Sequence, residues 1–271
     1  MDDAALLAAF DTQVRRRPDD EPGLRVELVD DPAPVLRLVP GPAAAWGGGV
    51  FWSDLDESTA DAAIAAAVEA FRGTGRSWEW KQYGYDRPAD LAARLRAAGF
   101  EPGDEEALVV GEVETVRVRL AGAAAPEGVT VRLLREDPAG RAADWAGIGE
   151  LHRAVWDEDP TEYVAGQRAA QDADPERVST WLAVAGDGTV VCAARVNFHA
   201  GTGFASLWGG STLAAWRGRG IYKALVSRRA DEAAERGLRF LQVDASPDSR
   251  PILERLGLRT LTSTTPWTWR P

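Results

Sequence analysis

A short turn, Arg217-Gly-Arg-Gly220, has residue types and spacing suited to binding an anion. A strand-like segment precedes the turn. Apolar residues at helical spacing follow it, from Ile221 through Leu225 to Ala233, and Gly237 is a residue type that commonly ends a helix. A helix that opens on glycine presents unpartnered backbone N–H groups at the positive end of its dipole. The turn therefore predicts a site for a phosphate group.

Two other phosphate-binding motifs do not fit the chain. The sequence has no Gly-Lys-Ser/Thr run, which excludes a P-loop. Gly218-x-Gly220 lacks the third glycine of the dinucleotide fingerprint. The remaining alternative is a surface turn whose arginines are only solvated, and the flanking strand and helix favour the binding site over it.

The composition narrows the class of protein. A net charge of −11 disfavours a nucleic-acid partner, which needs a basic face, and suits an amine better. Cys192 is the single cysteine, so neither an intramolecular disulfide nor a cysteine-based zinc site is expected, and no metal site is predicted. No apolar run approaches the ~20 residues of a membrane span, and the first residues lack a basic signal region. We expect a soluble, cytoplasmic protein with no membrane partner, either a monomer or a homodimer.

Two stretches carry a family resemblance. The turn matches the first and fourth positions of a Gln/Arg-x-x-Gly-x-Gly/Ala loop, while Tyr222 replaces the small last residue. Further on, Ile252-Leu-Glu-Arg-Leu-Gly-Leu258 is similar to a closing Leu-Tyr-x-x-Leu-Gly-Phe element. Loop and element are features of the GNAT superfamily of acyl-CoA-dependent N-acyltransferases, which the chain resembles over roughly residues 128–271.

The resemblance implies a fold and a cosubstrate. The expected fold class is α+β or α/β, a GNAT-like mixed and mainly antiparallel sheet flanked by helices. The implied cosubstrate is acetyl-CoA, whose pantetheine arm would pair with the backbone of Thr212, Leu213 and Ala214. The residues that would hold its pyrophosphate are Arg217, Gly218, Arg219, Gly220, Ile221, Tyr222 and Lys223.

The implied activity is N-acetyltransfer, in which a primary amine of a small molecule or peptide attacks the thioester directly. One alternative is a non-catalytic acyl-CoA-binding or regulatory module, because Leu253 stands where the family places a tyrosine general acid and Tyr222 replaces the small residue of the loop. Another alternative is a scaffold that binds only protein partners. The intact glycine turn argues against this alternative. Ser249 is the candidate for the vacant acid role, with Ser246 and Tyr222 as further replacements. A serine at a helix start is more often a cap.

The candidates for a general base lie in two places. Glu158 and Asp159, preceded by Asp157, lie between two predicted helices in a region that borders the acceptor site in the family, and can bind or deprotonate an amine. The alternative is a solvated helix terminus with its cap. His199, at a strand end, is a second candidate, against the alternative of a turn histidine with no role. Three tryptophans either line the acceptor site or belong to the core: Trp156, Trp181 and Trp208.

The order of elements in the first part of the chain repeats that of the second. The first part has a predicted helix at 58–71, strand at 78–86, helix at 87–100 and strand-like segment at 106–120. The second has predicted strand 238–245, helix 247–257 and strand 261–269, preceded by strand 129–134, helices 138–155 and 161–171, and strands 178–185, 189–198 and 203–213. Repeated order of this kind predicts two related units in tandem.

The predicted units are 1–125 and 126–271, joined by a small-residue linker. The second is the predicted GNAT acetyltransferase domain. The first is predicted to be a degenerate GNAT-like unit without the CoA loop, because Asp54-Leu-Asp-Glu57 precedes its helix in place of a glycine turn. Carboxylates at a helix N-terminus satisfy the dipole and repel a pyrophosphate.

Overall fold

A computed structural model describes residues 1–17, 23–41, 44 and 46–271. The chain divides into two compact units. The first consists of residues 1–109, 244–252 and 259–271, and the second of residues 110–243 and 253–258. The last strand of the chain thus belongs to the first unit, whereas the sequence-based boundary placed it in the second. The degenerate GNAT-like character of the first unit stays a prediction.

The helices and strands up to residue 112 are α1 Asp3–Phe10, a π-helical turn Asp11–Arg15, β1 Leu24–Val29, β2 Val35–Pro40, β3 Gly49–Ser53, α2 Ala60–Arg72, β4 Trp78–Tyr83, α3 Leu91–Ala97, β5 Glu101–Pro102 and β6 Glu106–Glu112. Those that follow are α4 Val113–Arg119, β7 Val129–Leu133, α5 Pro138–Trp156, α6 Thr161–Ala173, β8 Val178–Ala185, β9 Val190–Phe198, β10 Phe204–Thr212, a 3₁₀ turn Ala214–Trp216, α7 Ile221–Glu235, β11 Phe240–Ala245, α8 Arg250–Arg255 and β12 Arg259–Trp269.

The sheet of the first unit has the strand order β1-β2-β3-β4-β12, with β5 beside β12. Only β3 and β4 run parallel within this set; the other pairs are antiparallel. Strand β12 pairs with β4 in a register that sets Trp267 opposite Trp80. Aromatic side chains fill the core beside these strands, where Trp78 stacks on Phe71 of α2 with ring centroids 4.2 Å apart. The C-terminal strand therefore completes the first unit.

The sheet of the second unit has the order β11-β10-β9-β8-β7. All neighbours are antiparallel except β10 and β11. Successive residues of a strand point to opposite faces. Leu182 accordingly packs with α5, and the next residue, Ala183, packs with α7. A mixed, mainly antiparallel sheet flanked by helices confirms the predicted fold class.

One predicted strand is partly wrong. The segment 106–120 was expected to be strand-like throughout, but the strand ends at Glu112 and α4 begins at Val113. The apolar residues Val113, Val116 and Leu120 are at most 3 % exposed, at the three- and four-residue spacing of a helix face. Over the same stretch β-branched residues alternate with polar ones, which is also the sequence pattern of a half-buried strand.

Asp144 anchors α5 to the sheet edge. Its carboxylate, 1 % exposed, accepts two hydrogen bonds of 2.7 Å from the Arg132 guanidinium and two more from Arg135, at 2.7 Å from the side chain and 2.9 Å from the backbone N–H. Burial alone would raise the pKa of Asp144, but these donors lower it to about 2. A carboxylate with a lowered folded-state pKa adds stability above its unfolded pKa and loses it as pH falls toward the folded value.

Asp144→Asn is therefore expected to lower the free energy of unfolding by about 2 kcal/mol at pH 7 and by about half as much at pH 3. Urea unfolding of both proteins at the two pH values measures the difference. Asp172→Asn is the matched control, because Asp172 pairs with Arg141 and Arg168 at the surface and exposed pairs contribute about 0–1 kcal/mol. An Asp144→Asn cost that does not change between pH 7 and pH 3 would contradict the assignment.

Within the described ranges, no helix has both the length and the apolar character required to cross a membrane.

Candidate active site

Strands β10 and β11 separate along their length. They pair in parallel only over Phe204–Ser206, opposite Phe240–Gln242, while β10 continues beside β9 as far as Thr212. A bulge interrupts the β9–β10 register between Gly209 and Ser211. Beyond Ser206, the β11-facing edge of β10 has no paired strand in the described part of the second unit. Its backbone N–H and C=O groups are available to an extended ligand.

A short 3₁₀ turn connects this open edge to the glycine turn. The backbone N–H of Leu213 donates to the carbonyl of Val191 at 3.0 Å, and the 3₁₀ turn comes next. The Arg217 side chain folds back, and its Nε donates to the carbonyl of Thr212 at 3.1 Å. Gly218 and Gly220 have φ angles of +75° and +83°, which side chains rarely adopt. The arginine thus stabilises the turn, and the glycines supply its left-handed residues.

The N-terminus of α7 is open at this turn. Gly220 caps the helix with no side-chain hydrogen bond, and a Cβ at Gly218 or Gly220 would meet no atom within 4 Å. The exposed Lys223 adds a positive charge in the first turn, and the exposed Arg219 lies over the Trp216 ring at 4.9 Å. Free backbone donors, positive charge and unfilled space fit the pyrophosphate of a CoA molecule.

A carboxylate lies in the loop just before helix α2 of the first unit. The Asp56 carboxylate accepts hydrogen bonds from the hydroxyl groups of Ser58 and Thr59, and at 2.9 Å from the backbone N–H of each. The hydroxyl groups and then the backbone donors lower the pKa of Asp56. The loop before α2 therefore contains a negative charge, whereas the turn before α7 contains glycines and arginines.

Tyr222 lies away from the glycine turn. Its ring packs on Gly210, where a Cβ would come within 2.6 Å of Tyr222 Cε2. Burial raises the pKa of Tyr222, opposed by the nearby guanidinium of Arg229. Arg229 is itself 1 % exposed and donates to the carbonyls of Leu225 and Arg195, each at 3.1 Å. The bulge glycine therefore makes room for the tyrosine that replaces the small residue of the family loop.

A cavity of about 240 Å³ opens on the other side of the β10 bulge. Helices α5 and α6 and strands β8 to β10 of the second unit form its walls. The lining residues are Trp145, Ile148, His152, Trp156, Tyr163, Gln167, Thr180, Ala193, Ala194, Arg195, Trp208, Gly209 and Ser211. The indole N–H of Trp156 donates to the Ser211 hydroxyl at 3.2 Å and so joins the end of α5 to the bulge.

His152 is the histidine that lines this cavity, and an imidazole is a common general base. Its ring stacks on Tyr163 with centroids 4.2 Å apart, and its Nε2 lies 3.6 Å from Glu158 Oε2. The histidine was not singled out from the sequence. Its signal was the spacing of Trp145, Ile148 and His152, which with Trp156 form one stripe along α5.

The carboxylates predicted near the acceptor site have three different environments. Glu158 is brought to His152, and its side chain is 70 % exposed. Asp159 caps α6, accepting from the backbone N–H of Thr161 at 3.0 Å and from its hydroxyl at 2.7 Å. Asp157 ends α5 in a left-handed conformation with φ of 56°. The structure therefore brings Glu158 to the histidine and gives Asp159 a capping role.

Other predicted residues do not line the cavity. His199 follows the far end of β9, four residues or roughly 13 Å from Arg195, and its Nε2 lies 2.5 Å from the Ser206 hydroxyl. Trp181 points to the α7 face, where its indole N–H donates to Glu232 at 2.9 Å. Trp156 and Trp208 do line the cavity, which is the first of the two alternatives given for the three tryptophans.

The predicted acid positions are likewise apart from the cavity lining. Ser249 belongs to the first unit, where its hydroxyl lies 3.1 Å from that of Ser246 in the turn before α8. Leu253, at the position of the family tyrosine, is fully buried. Among the described residues, no group of three or more His, Cys, Asp or Glu side chains is arranged to hold a metal ion.

The segment 145–258 matches the family model described as "Acetyltransferase (GNAT) family". The matched segment contains the cavity and the glycine turn. The resemblance inferred from the turn and from the Leu-Gly-Leu element is thereby confirmed. No curated protein matches the chain.

Solved structures share the fold. A GCN5-related N-acetyltransferase from Kribbella flavida is 18 % identical with a TM-score of 0.62, over 99 % of this chain and 95 % of that one. A tandem GNAT protein from the clavulanic acid biosynthesis pathway is 15 % identical with a TM-score of 0.60, over 93 % and 84 %. A GCN5-related N-acetyltransferase-like protein from Streptococcus suis is 14 % identical with a TM-score of 0.57, over 99 % and 98 %.

Proposed function

We propose that this protein is an N-acetyltransferase that transfers the acetyl group of acetyl-CoA to a primary amine. One observation carries the proposal. The bulge of β10 forms a wall of the His152 cavity, and the same strand leads into the open N-terminus of α7. A donor held at that N-terminus and an acceptor held in the cavity would meet at the bulge, which is the proximity that acyl transfer requires.

Each cosubstrate has its own residues. The backbone N–H groups at Gly220 and after it, with Arg219 and Lys223, hold the pyrophosphate, and the open edge of β10 up to Thr212, Leu213 and Ala214 accepts the pantetheine arm. Bound acetyl-CoA supplies the acyl thioester. The loop before helix α2 of the first unit contains Asp56 and no glycine turn, so one CoA per chain is expected.

His152 acts as the general base in this proposal. It accepts a proton from the substrate ammonium, and Glu158 at 3.6 Å stabilises the imidazolium that forms. The free amine nitrogen then forms a bond to the thioester carbonyl carbon, the nitrogen releases its second proton to solvent, and the C–S bond breaks. CoA leaves as the thiolate and takes its proton from solvent, since the buried Leu253 has none to donate.

The second candidate is a module that binds acyl-CoA without turnover. The leucine at the position of the family acid favours this alternative, because a missing acid slows departure of the thiolate. The tandem GNAT neighbour supports the interpretation of the chain as a tandem protein.

Calorimetric titration with acetyl-CoA is expected to give micromolar affinity and one site per chain. Release of free thiol on adding a panel of primary amines then separates the enzyme from the binding module. Binding without thiol release from any amine would select the module. Two sites per chain would contradict the assignment that the first unit lacks a CoA site. No binding would overturn the proposal that the protein is an acetyltransferase.

A further inference from the structure

Three of the exposed large aromatic residues converge on the cavity. Trp156 is 58 % exposed, Trp208 is 42 % exposed and Tyr163 is 39 % exposed. All three line the cavity together with the His152 ring and the buried Trp145. Grouped exposed aromatic faces mark a binding surface, and they bind a flat ring through stacking and edge contacts.

The size of the cavity limits what it encloses. An apolar cavity of about 150 Å³ is large enough for benzene. The cavity here, about 240 Å³, thus accommodates one aromatic ring and a small polar head. An oligosaccharide with several amines or a folded peptide segment exceeds this volume.

The charge of the lining differs from that of the whole chain. No Asp or Glu is among the lining residues, whereas Arg195 is, with its guanidinium 5.7 Å from the centroid of the Trp208 ring. Burial raises the pKa of Tyr163, and the positive charge of Arg195 opposes that rise. The lining therefore attracts a carboxylate and disfavours a polycation.

Glu158 adds a negative charge beside the histidine of the cavity. Its carboxylate lies 3.6 Å from His152 Nε2 and can guide an ammonium to that side.

From these features we infer that the acceptor is an aromatic α-amino acid or a close analogue, with its ring among Trp156, Tyr163 and Trp208, its carboxylate on Arg195 and its amine at His152. The inference rests on the proposed function and names the class of its acceptor.

The test compares ligands that differ by one group. L-phenylalanine, phenethylamine, 3-phenylpropionate and spermidine are titrated calorimetrically into the full chain, with and without saturating CoA. L-phenylalanine is expected to bind at least about tenfold more tightly than phenethylamine, which lacks the carboxylate. 3-Phenylpropionate is expected to bind, and spermidine is expected to bind more weakly than either aromatic acid. Equal affinity for L-phenylalanine and phenethylamine, or tighter binding of spermidine, overturns the inference.

Arg195→Gln keeps the backbone carbonyl that Arg229 uses and removes the cation. It is expected to reduce the affinity for L-phenylalanine to that for phenethylamine and to leave phenethylamine binding unchanged. Arg168→Gln, on α6 but outside the cavity lining, is the matched control and should change neither. A variant in which L-phenylalanine keeps its affinity overturns the inference.

Thiol release with acetyl-CoA separates the inference from the proposed function. If L-phenylalanine binds through Arg195 but no thiol is released, the result supports the inferred ligand class and contradicts the proposed acetyltransferase activity. If thiol is released with spermidine but not with L-phenylalanine, the result supports the acetyltransferase activity and contradicts the inferred ligand class.

Discussion

Gly220→Asp is expected to weaken acetyl-CoA binding by on the order of 100-fold or more. The new carboxylate would stand at the N-terminus of α7, beside the backbone donors that are proposed to hold the pyrophosphate. Repulsion between a carboxylate and a phosphate a few ångströms apart near a protein surface is worth about 3 kcal/mol, which corresponds to that factor. Calorimetric titration with acetyl-CoA measures the change.

Gly220→Asn is the matched control for this substitution. Asparagine and aspartate have nearly the same size, and both tolerate the left-handed conformation at φ of +83° better than other side chains. A Cβ at this position meets no atom within 4 Å, so both variants are expected to fold. The Asn variant should keep most of the affinity. Equal affinities of the Asp variant and the wild type, with both folded, would sink the assignment of the loop.

His152→Gln is expected to lower kcat by about 100- to 1,000-fold, the usual contribution of a positioned general base. Glutamine is of similar length and polar, so the cavity and the packing on Tyr163 change little, but it does not accept the proton of an ammonium. Because the histidine is on α5 and is not among the residues proposed to hold CoA, acetyl-CoA affinity should be unchanged. Steady-state thiol release gives kcat, and calorimetry gives the affinity.

His199→Gln distinguishes the two histidines of the chain. Its ring contacts Ser206 at the far end of β9, so its removal is expected to leave kcat within about twofold. Glu158→Gln should lower kcat by less than His152→Gln does, since it removes the partner and not the base. A larger loss in His199→Gln than in His152→Gln would reverse the assignment of the base.

Much of the second unit was predictable from the sequence. The predicted helix 138–155 and strand 178–185 agree with the structure to within one residue at each end. The turn at Gly220 was predictable because glycine is the residue that most readily adopts a positive φ, and residues at helical spacing follow it in the sequence. Periodicity reports these features directly, since each depends on residues that are close in the chain.

The cavity was less predictable, because it depends on contacts between distant residues. His152 and Tyr163 are on different helices, and only the packing of α5 against α6 stacks their rings. His199 was the more visible histidine because it ends a strand. The overall charge of −11 gave no indication that the cavity lining contains the cation Arg195.

Tyr222, which replaces the small last residue of the family loop, shows that a local motif does not by itself indicate how a substituted residue is accommodated. A tyrosine in place of a small residue suggested an impaired loop. In the structure, Gly210 on the neighbouring strand lacks the side chain that would collide with the ring. The compensating residue is twelve positions earlier in the chain, where no pattern within the loop could indicate it.

The position of β12 bears on how the chain is made. Trp267 donates to Gln82 across 185 residues of sequence, and β12 is the strand beside β4 in the first unit. The ribosome therefore synthesises the N-terminal unit first but cannot complete it, because the edge of β4 stays open until the last strand emerges. A chain that terminates just before β12 would therefore lack a strand of the N-terminal unit, which is the part synthesised first.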